Sequence, residues 1–493
     1  MTAYQRPGVY VQETLNAIPP VAASFSDSIA AFVGTSVRGP VEPTLISSWS
    51  DYVKIYGGWS SDNTLALAVF LFFANGGSQA YVVRVVAGSP AAAFRTIQDT
   101  SASPANTLTV EAKNPGTWGN SISITTQDTV GVADAFDLIV YYGGTTSAYK
   151  KEVFPNLSMN PTSSRYALSV VVSDYITLTN EGVGTKPANV TAVSLASGLN
   201  GDTPTALQIA QGVEALDVVN NALILNAPGI TGDSAVNELI AYAEARKDVF
   251  VVVDPIIAST VNSQLATVDN YSASSYAAVY YPAITINDPT RTTPGSVITN
   301  VNPGGAVVGR YAATDRSRGV FKAPAGIAAR IAGAVSVPAL KNSELDALNT
   351  SEKPVNAIKF VPGSGIVIMG ARTLKGGYSD MYVPVRRSLI YLEKALVDLT
   401  QFAVFEPNDT ILYRRLTAAV GGFLTNFWAQ GGLRGDTTEQ AFFVLCDSSN
   451  NPLSSVEAGQ VNIQVGVALQ RPAEFVVINI GQFDGGATVT TVA

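Results

Sequence analysis

The sequence contains no histidine and one cysteine, Cys446, among 493 residues. Without imidazole the chain lacks the commonest general base, the usual partner of serine and cysteine nucleophiles, and the usual nitrogen ligand for zinc. No side chain with an ordinary pKa titrates between about pH 6 and 8, so only a strongly shifted carboxylate would respond there. A lone cysteine forms no intrachain disulfide, which suits a reducing compartment. At the end of the strand-like run 441–445, Cys446 reads as a small, buried, apolar residue.

Charge is also scarce. Asp, Glu, Lys and Arg make up 14% of the chain and hydrophobic residues 47%, whereas an ordinary soluble protein is roughly 25% charged. That much apolar surface must be covered. A bilayer is a poor candidate, because the longest apolar run, residues 65–74, falls well short of the roughly 20 residues of a spanning helix. No signal peptide is expected, since Arg6 is followed by Pro7 and Gly8 instead of an apolar stretch. The net charge of −8 (30 basic minus 38 acidic residues) leaves no basic footprint for nucleic acid. Burial against other protein subunits remains.

The length predicts two to four domains. Residues 4–13, YQRPGVYVQE, read as a Pro-Gly turn and a short strand of Val9, Tyr10 and Val11 with no local partner. Residues 16–22, with Pro19 and Pro20, read as an extended linker. A strand at 29–33 leads to a nearly all-apolar core helix that starts at Asp62 or Asn63 and stops at Asn75, Gly76 and Gly77; a strand at 80–86 follows. Between 91 and 199 the composition turns to Ser, Thr, Asn and Val, with short strand-like runs and glycine turns, which predicts an inserted all-β domain. Helix and strand then alternate through 253, implying a partly parallel sheet covered by helices. Two long helices come late. One, at 385–402, carries Leu389, Leu392, Leu396 and Leu399 on one stripe, and the other runs from Asn408 or Asp409 to Gln430, with Gly431 and Gly432 as its stop. A last strand at 474–480, with Phe475, Val476 and Val477, again has no local partner.

Catalytic constellations are not found. Asp254 follows an apolar strand, where an α/β enzyme keeps a catalytic carboxylate, but the adjacent Pro255 favours a turn-forming Asp. The run 447–451, DSSNN, resembles half of a calcium loop without its sixth-position Gly or twelfth-position acid, and reads as a hairpin turn. Gly363, Gly365 and Gly370 miss the dinucleotide spacing. No catalytic, cofactor or metal site is expected.

A series of short blocks is similar to the contractile tail sheath proteins of myophages and related injection systems. In chain order they are PGVYVQE (7–13), AFVG with RGP (31–40), FFANGGSQAYVVRV (72–85), KNPGTWGNSISI (113–124), YAAVYYP (276–282), DRSRGVFKAPAG (315–326), GARTL (370–374), YVPVRR (382–387), FEPND (405–409), QGGLRG (430–435) and RPAEFVV (471–477). The chain departs from the family at Ile368 and Met369, where a Trp is common, and beyond Gln482.

The resemblance implies a mixed α/β (α+β) sheath fold. Its parts are an N-terminal strand arm and linker (1–20), an α/β core (21–90 plus 200–365), an inserted outer β domain (91–199), a C-terminal domain with two long helices (366–470), and a C-terminal strand arm and tail (471–493). It implies a non-enzymatic subunit that polymerises as stacked six-fold rings around an inner tail tube protein, meets a baseplate and a tail terminator, and contracts to drive the tube through an envelope. Neither nucleic-acid binding nor membrane insertion belongs to this reading. The particle is a virion tail assembled in the bacterial cytoplasm, or a phage-like injection system or tailocin; a surface adhesin or a hydrolase is a more distant alternative. Val9, Tyr10, Val11, Phe475, Val476 and Val477 would add strands to neighbouring subunits. Arg386, Arg387 and Lys394 on one late helix and Arg414 and Arg415 on the other are candidate tube contacts, with solvated faces or intrachain ion pairs as the competing reading.

Overall fold

In a computed structural model of the chain the described residues are 28–59, 63–182, 184–257, 259–289, 293, 295–377 and 381–474. The strands expected at Val9, Tyr10 and Val11 and at Phe475, Val476 and Val477 lie outside them, as does the 16–22 linker.

The largest sheet is built from β1 (Ile29–Gly34), β2 (Thr44–Ile46), β3 (Ala80–Arg84), β4 (Leu223–Asn226), β5 (Val249–Val253), β6 (Ala277–Tyr281), β7 (Val355–Val361) and β8 (Gly365–Ile368). Their spatial order is β8-β7-β6-β5-β4-β1-β3-β2. The six inner strands are parallel, and β2 and β8 close the two edges antiparallel. Sequence explains the arrangement. Runs such as VFVVV in β5 and AAVYY in β6 are buried along their whole length, so both faces must be covered, as parallel sheets require.

Helix α1 (Thr64–Ala74) is capped by Asn63, whose Oδ1 accepts from the backbone N–H of Ala66 at 3.2 Å, and it ends at Asn75. It crosses α2 (Gly304–Arg318) at very short range because α2 presents glycines there. A Cβ on Gly305 would stand 2.1 Å from the Ala68 carbonyl oxygen, and one on Gly309 2.5 Å from that of Phe72. The Asn75 side chain continues the joint, accepting from Ala332 N at 2.7 Å.

Residues 94–194 form two antiparallel sheets: Val190–Ser194, Ile122–Asp128, Phe136–Tyr142 and Lys150–Leu157 in one, Phe94–Gln98, Asn106–Ala112 and Ile176–Asn180 in the other. They enclose their own core of Leu108, Val110, Trp118, Ile124, Phe136 and Leu138. Arg38, in the bend after β1, and Arg84, the last residue of β3, join this unit to the rest. The Arg38 guanidinium sits 5.3, 5.1 and 5.0 Å from the ring centres of Trp118, Tyr142 and Tyr175, and Arg84 donates to the carbonyls of Gly39 at 3.1 Å and Pro115 at 2.8 Å. Each desolvated cation–π contact contributes about 1–2 kcal/mol.

The late helices are α3 (Val383–Thr400) and α4 (Thr410–Ala429), the latter capped by Asp409, which accepts from the N–H groups of Ile411 and Leu412. They share a third core with Leu392, Phe423, Leu424 and Phe427. Strands β9 (Phe442–Leu445) and β10 (Gln464–Val467) pack on it as an antiparallel pair.

If the glycine contact sets the α1–α2 distance, Gly305→Ala will cost about 2 kcal/mol or more, because the backbone it meets has no flexible end to yield. Urea unfolding measures this; an unchanged midpoint would show that the helices are free to separate.

Candidate functional site

Asp254 stands at the carboxyl end of β5, close to where the strand order reverses, the place where open α/β sheets bind ligands. That crevice is occupied by the chain itself. Asp254 Oδ1 accepts from Gly304 N at 2.7 Å, and Oδ2 accepts from Gly229 N at 3.1 Å and from Asn226 Nδ2 at 3.4 Å. Asn226 also donates to the Val252 carbonyl at 2.9 Å. The residue is 1% exposed. It is therefore not the local turn former read from Asp-Pro; it braces the ends of β4 and β5 against the first residue of α2. Burial pushes its carboxyl up to about 6, against the hydrogen bonds of Gly229, Gly304 and Asn226, which pull it down. No group of three metal-ligating side chains occurs among the described residues.

Cys446 is buried beside Leu412, Tyr413 and Leu416, and burial pushes its thiol up to about 11. Asp447 follows β9 and folds back on its own loop, accepting from Ser449 N at 2.7 Å. No helix among the described residues is long and apolar enough to cross a membrane.

The candidate cations separate sharply. Arg386 and Arg387 do not face outward: the first six residues of α3 are all buried, and these two side chains are 3% and 5% exposed. Arg386 lies 4.5 Å over the Tyr276 ring and donates to its hydroxyl at 3.2 Å. Arg387 grips Asp315 with both Nη atoms, Nη1 reaching Oδ1 at 3.0 Å, while Ser28 Oγ donates to the same carboxylate and accepts from Nη2 at 3.1 Å. As a tube-facing pair they are excluded by this burial. Lys394 is paired with Asp398 at 3.1 Å one turn on, and Arg415 with Glu406 at 2.9 Å, stacked 5.0 Å over Phe402. Arg414 and Arg415 are the exposed members, next to Ile411 and Phe405, which are also exposed.

Two features escaped the sequence reading. At the end of the described chain Glu474 meets Arg372, whose Nε lies 3.1 Å from both carboxylate oxygens and whose Nη1 donates to the Asn349 carbonyl at 2.9 Å. The hydrogen bonds to Glu474 lead in holding this guanidinium above its ordinary pKa. The second is β10 and its pairing with β9, the strand expected at 441–445; neither strand has a third neighbour among the described residues. Phe442, Val465 and Val467 face the α3–α4 core, whereas Phe443 points outward and is 54% exposed. Arg372 and Glu474 lie in blocks already noted, GARTL and RPAEFVV, but nothing in their spacing pairs them.

The chain has the fold of contractile sheath proteins. It superimposes on the sheath of the PVC extracellular contractile injection system in its contracted state with a TM-score of 0.60 at 23% identity, over 98% of this chain and 99% of that one. The contracted helical sheath of the anti-feeding prophage gives 0.59 at 21% identity, over 97% and 100%. A sheath tail protein of Listeria innocua gives 0.64 at 14% identity, over 87% and 90%. In sequence the chain is similar to the tail sheath protein of Vibrio phage KVP40, 27% identical over 222 residues, which is 43% of this chain and 31% of that protein. The chain thus matches under a third of that relative's length. No family model matches.

Asp254 generates a pH prediction. Its folded pKa lies above the unfolded value of 3.8, so the stability it contributes is fully present below about pH 4 and is lost as pH rises through about 6. The amount is on the order of 2–3 kcal/mol. Subtracting the pH profile of Asp254→Asn from that of the wild type, by urea unfolding between pH 4.5 and 7.5, isolates it. Parallel profiles would mean that Asp254 stays ionised.

Proposed function

We propose that the chain is the structural subunit of a contractile sheath, in a phage tail or a phage-like injection system, and that it performs no chemistry. The observation that carries this is fold agreement end to end with the PVC sheath, 98% of one chain on 99% of the other. The finer reading is that subunits stack as six-fold rings around an inner tube and contract to drive it through an envelope. Their partners are other copies, the tube protein, a baseplate and a terminator. The particle is built in the bacterial cytoplasm. A neighbour from the anti-feeding prophage baseplate has the same fold, in keeping with a sheath that meets a baseplate.

In this reading the parts 1–20, 21–90 plus 200–365, 91–199, 366–470 and 471–493 are arm, core, outer decoration, C-terminal domain and second arm. The β9–β10 pair is the acceptor for arms of neighbouring subunits. It offers unpaired strand edges over an apolar face already packed on α3 and α4, and unpaired edges are templates for strand addition. Roughly four to six strand hydrogen bonds at about 1 kcal/mol each, with two or three buried Val, Tyr or Phe side chains at roughly 1.5–3 kcal/mol, outweigh partial ordering of a linker. Such links keep a lattice connected while rigid subunits change their packing between two states, with no fuel consumed.

Two experiments test the assignment. Deleting residues 1–14, or everything after Arg471, will leave soluble folded subunits that build no long sheaths; normal-length tubes from either truncation would remove the arms from the account. For the tube, Arg414 and Arg415 are the exposed candidates, with Lys394 partly exposed and paired with Asp398. Reversing both charges will abolish recruitment onto tubes with the fold intact, and raised salt will weaken wild-type recruitment, since exposed charges are screened beyond about 8 Å at physiological ionic strength. A double variant that dresses tubes normally would exclude this face.

A further inference from the structure

Ser28 and Glu474 are the residues at which segments 1–27 and 475–493 join the described core. Each is held there by an arginine–carboxylate fork from a distant part of the chain. Ser28 Oγ donates to Asp315, which Arg387 grips with both Nη atoms. Glu474 receives Nε and Nη2 of Arg372. These contacts are far from local: 287 positions separate Ser28 from Asp315, and 102 separate Arg372 from Glu474.

Both forks converge on one structural element. Arg372 forms an isolated antiparallel bridge with Tyr382, the residue just before α3, and Arg387 lies in the second turn of the same helix. Arg372 is itself fixed to the main sheet: its N–H donates to Asn356 Oδ1 at 2.7 Å, and Asn356 Nδ2 donates to the Val279 carbonyl at 3.1 Å. Beyond β10, the backbone bond from Arg434 N to Ala468 O at 2.7 Å precedes the Glu474 contact by six residues. A planar guanidinium fork resists displacement in more than one direction, because two nearly parallel bonds must break together. Burial protects it from salt as well: Arg372 and Glu474 side chains are 13% and 19% exposed, against 52% and 40% for the surface pair Arg415–Glu406.

We infer that the start of α3 is a common anchor for both chain ends, with Arg372–Glu474 and Arg387–Asp315–Ser28 as positioning groups that carry pull on either terminal segment into the rigid core. The transmission of pull rests on the sheath reading; the anchoring does not.

The test uses the full chain with Ser28→Ala, Glu474→Gln and Glu474→Asp. Ser28→Ala removes one terminal contact and leaves the buried ion pair in place. Hydrogen exchange of the unassembled subunit is read by mass spectrometry at residues 28–34 and 468–474, and assembled sheaths are sheared and imaged. Expected results are exchange faster by on the order of tenfold at the affected root alone, partial recovery of protection in Glu474→Asp, and variant sheaths that break under shear the wild type survives. Unchanged exchange in both Ser28→Ala and Glu474→Gln overturns the anchors. Faster exchange with wild-type shear resistance overturns the load path. A wild-type chain that builds no sheath overturns the load path together with the sheath reading, and the exchange measurement still decides the anchors.

Discussion

Opposite charges on Arg387 and Asp315 meet where water hardly reaches, at 5% and 4% side-chain exposure. Ions stripped of water must recover several kcal/mol each from their surroundings, and removing one partner of such a pair costs about 3–5 kcal/mol. The surroundings here are made to fit. Tyr311 lies 4.8 Å beneath the guanidinium, the Tyr280 and Tyr311 hydroxyls bond to one another, and Ser28 completes the carboxylate's bonding. Three regions of the chain are thereby held at one point: the start of β1, the end of α2 and the start of α3.

Helix α2 carries that constraint across the molecule. Its first backbone N–H is taken by the Asp254 carboxylate, a favourable place for negative charge at a helix N-terminus. Its glycines set the distance to α1, and its last turn holds Asp315. These contacts tie the sheet, α1 and the start of α3 to one another, and Arg38 and Arg84 link the β sheets of residues 94–194 to them. Scarce charge fits the same picture, since the ions of the interior are spent on joints.

Local signals were legible in the sequence, and distant pairings were not. The strand at 249–253, the cap at Asn63 and the cap at Asp409 follow from short patterns whose physics is complete within a few residues. The short strands between residues 94 and 194 show in their composition for the same reason. At Asp254 the Asp-Pro pair carries only a local turn signal, whereas its partners Gly229 and Gly304 lie 25 and 50 positions away. Arg386 and Arg387 sit on an amphipathic pattern, and nothing in that pattern announces that the first turns of α3 are buried all round. Arg387 and Asp315, 72 positions apart, each lie in a block similar to sheath proteins, YVPVRR and DRSRG. Those blocks flagged the joints without saying which block meets which.

Electron microscopy of the purified full-length chain tests the central claim most directly. A sheath subunit will assemble, alone or on added tubes, into long hollow cylinders of uniform diameter with a regular axial repeat. Compact dispersed particles at every concentration, with tubes present or absent, would contradict it.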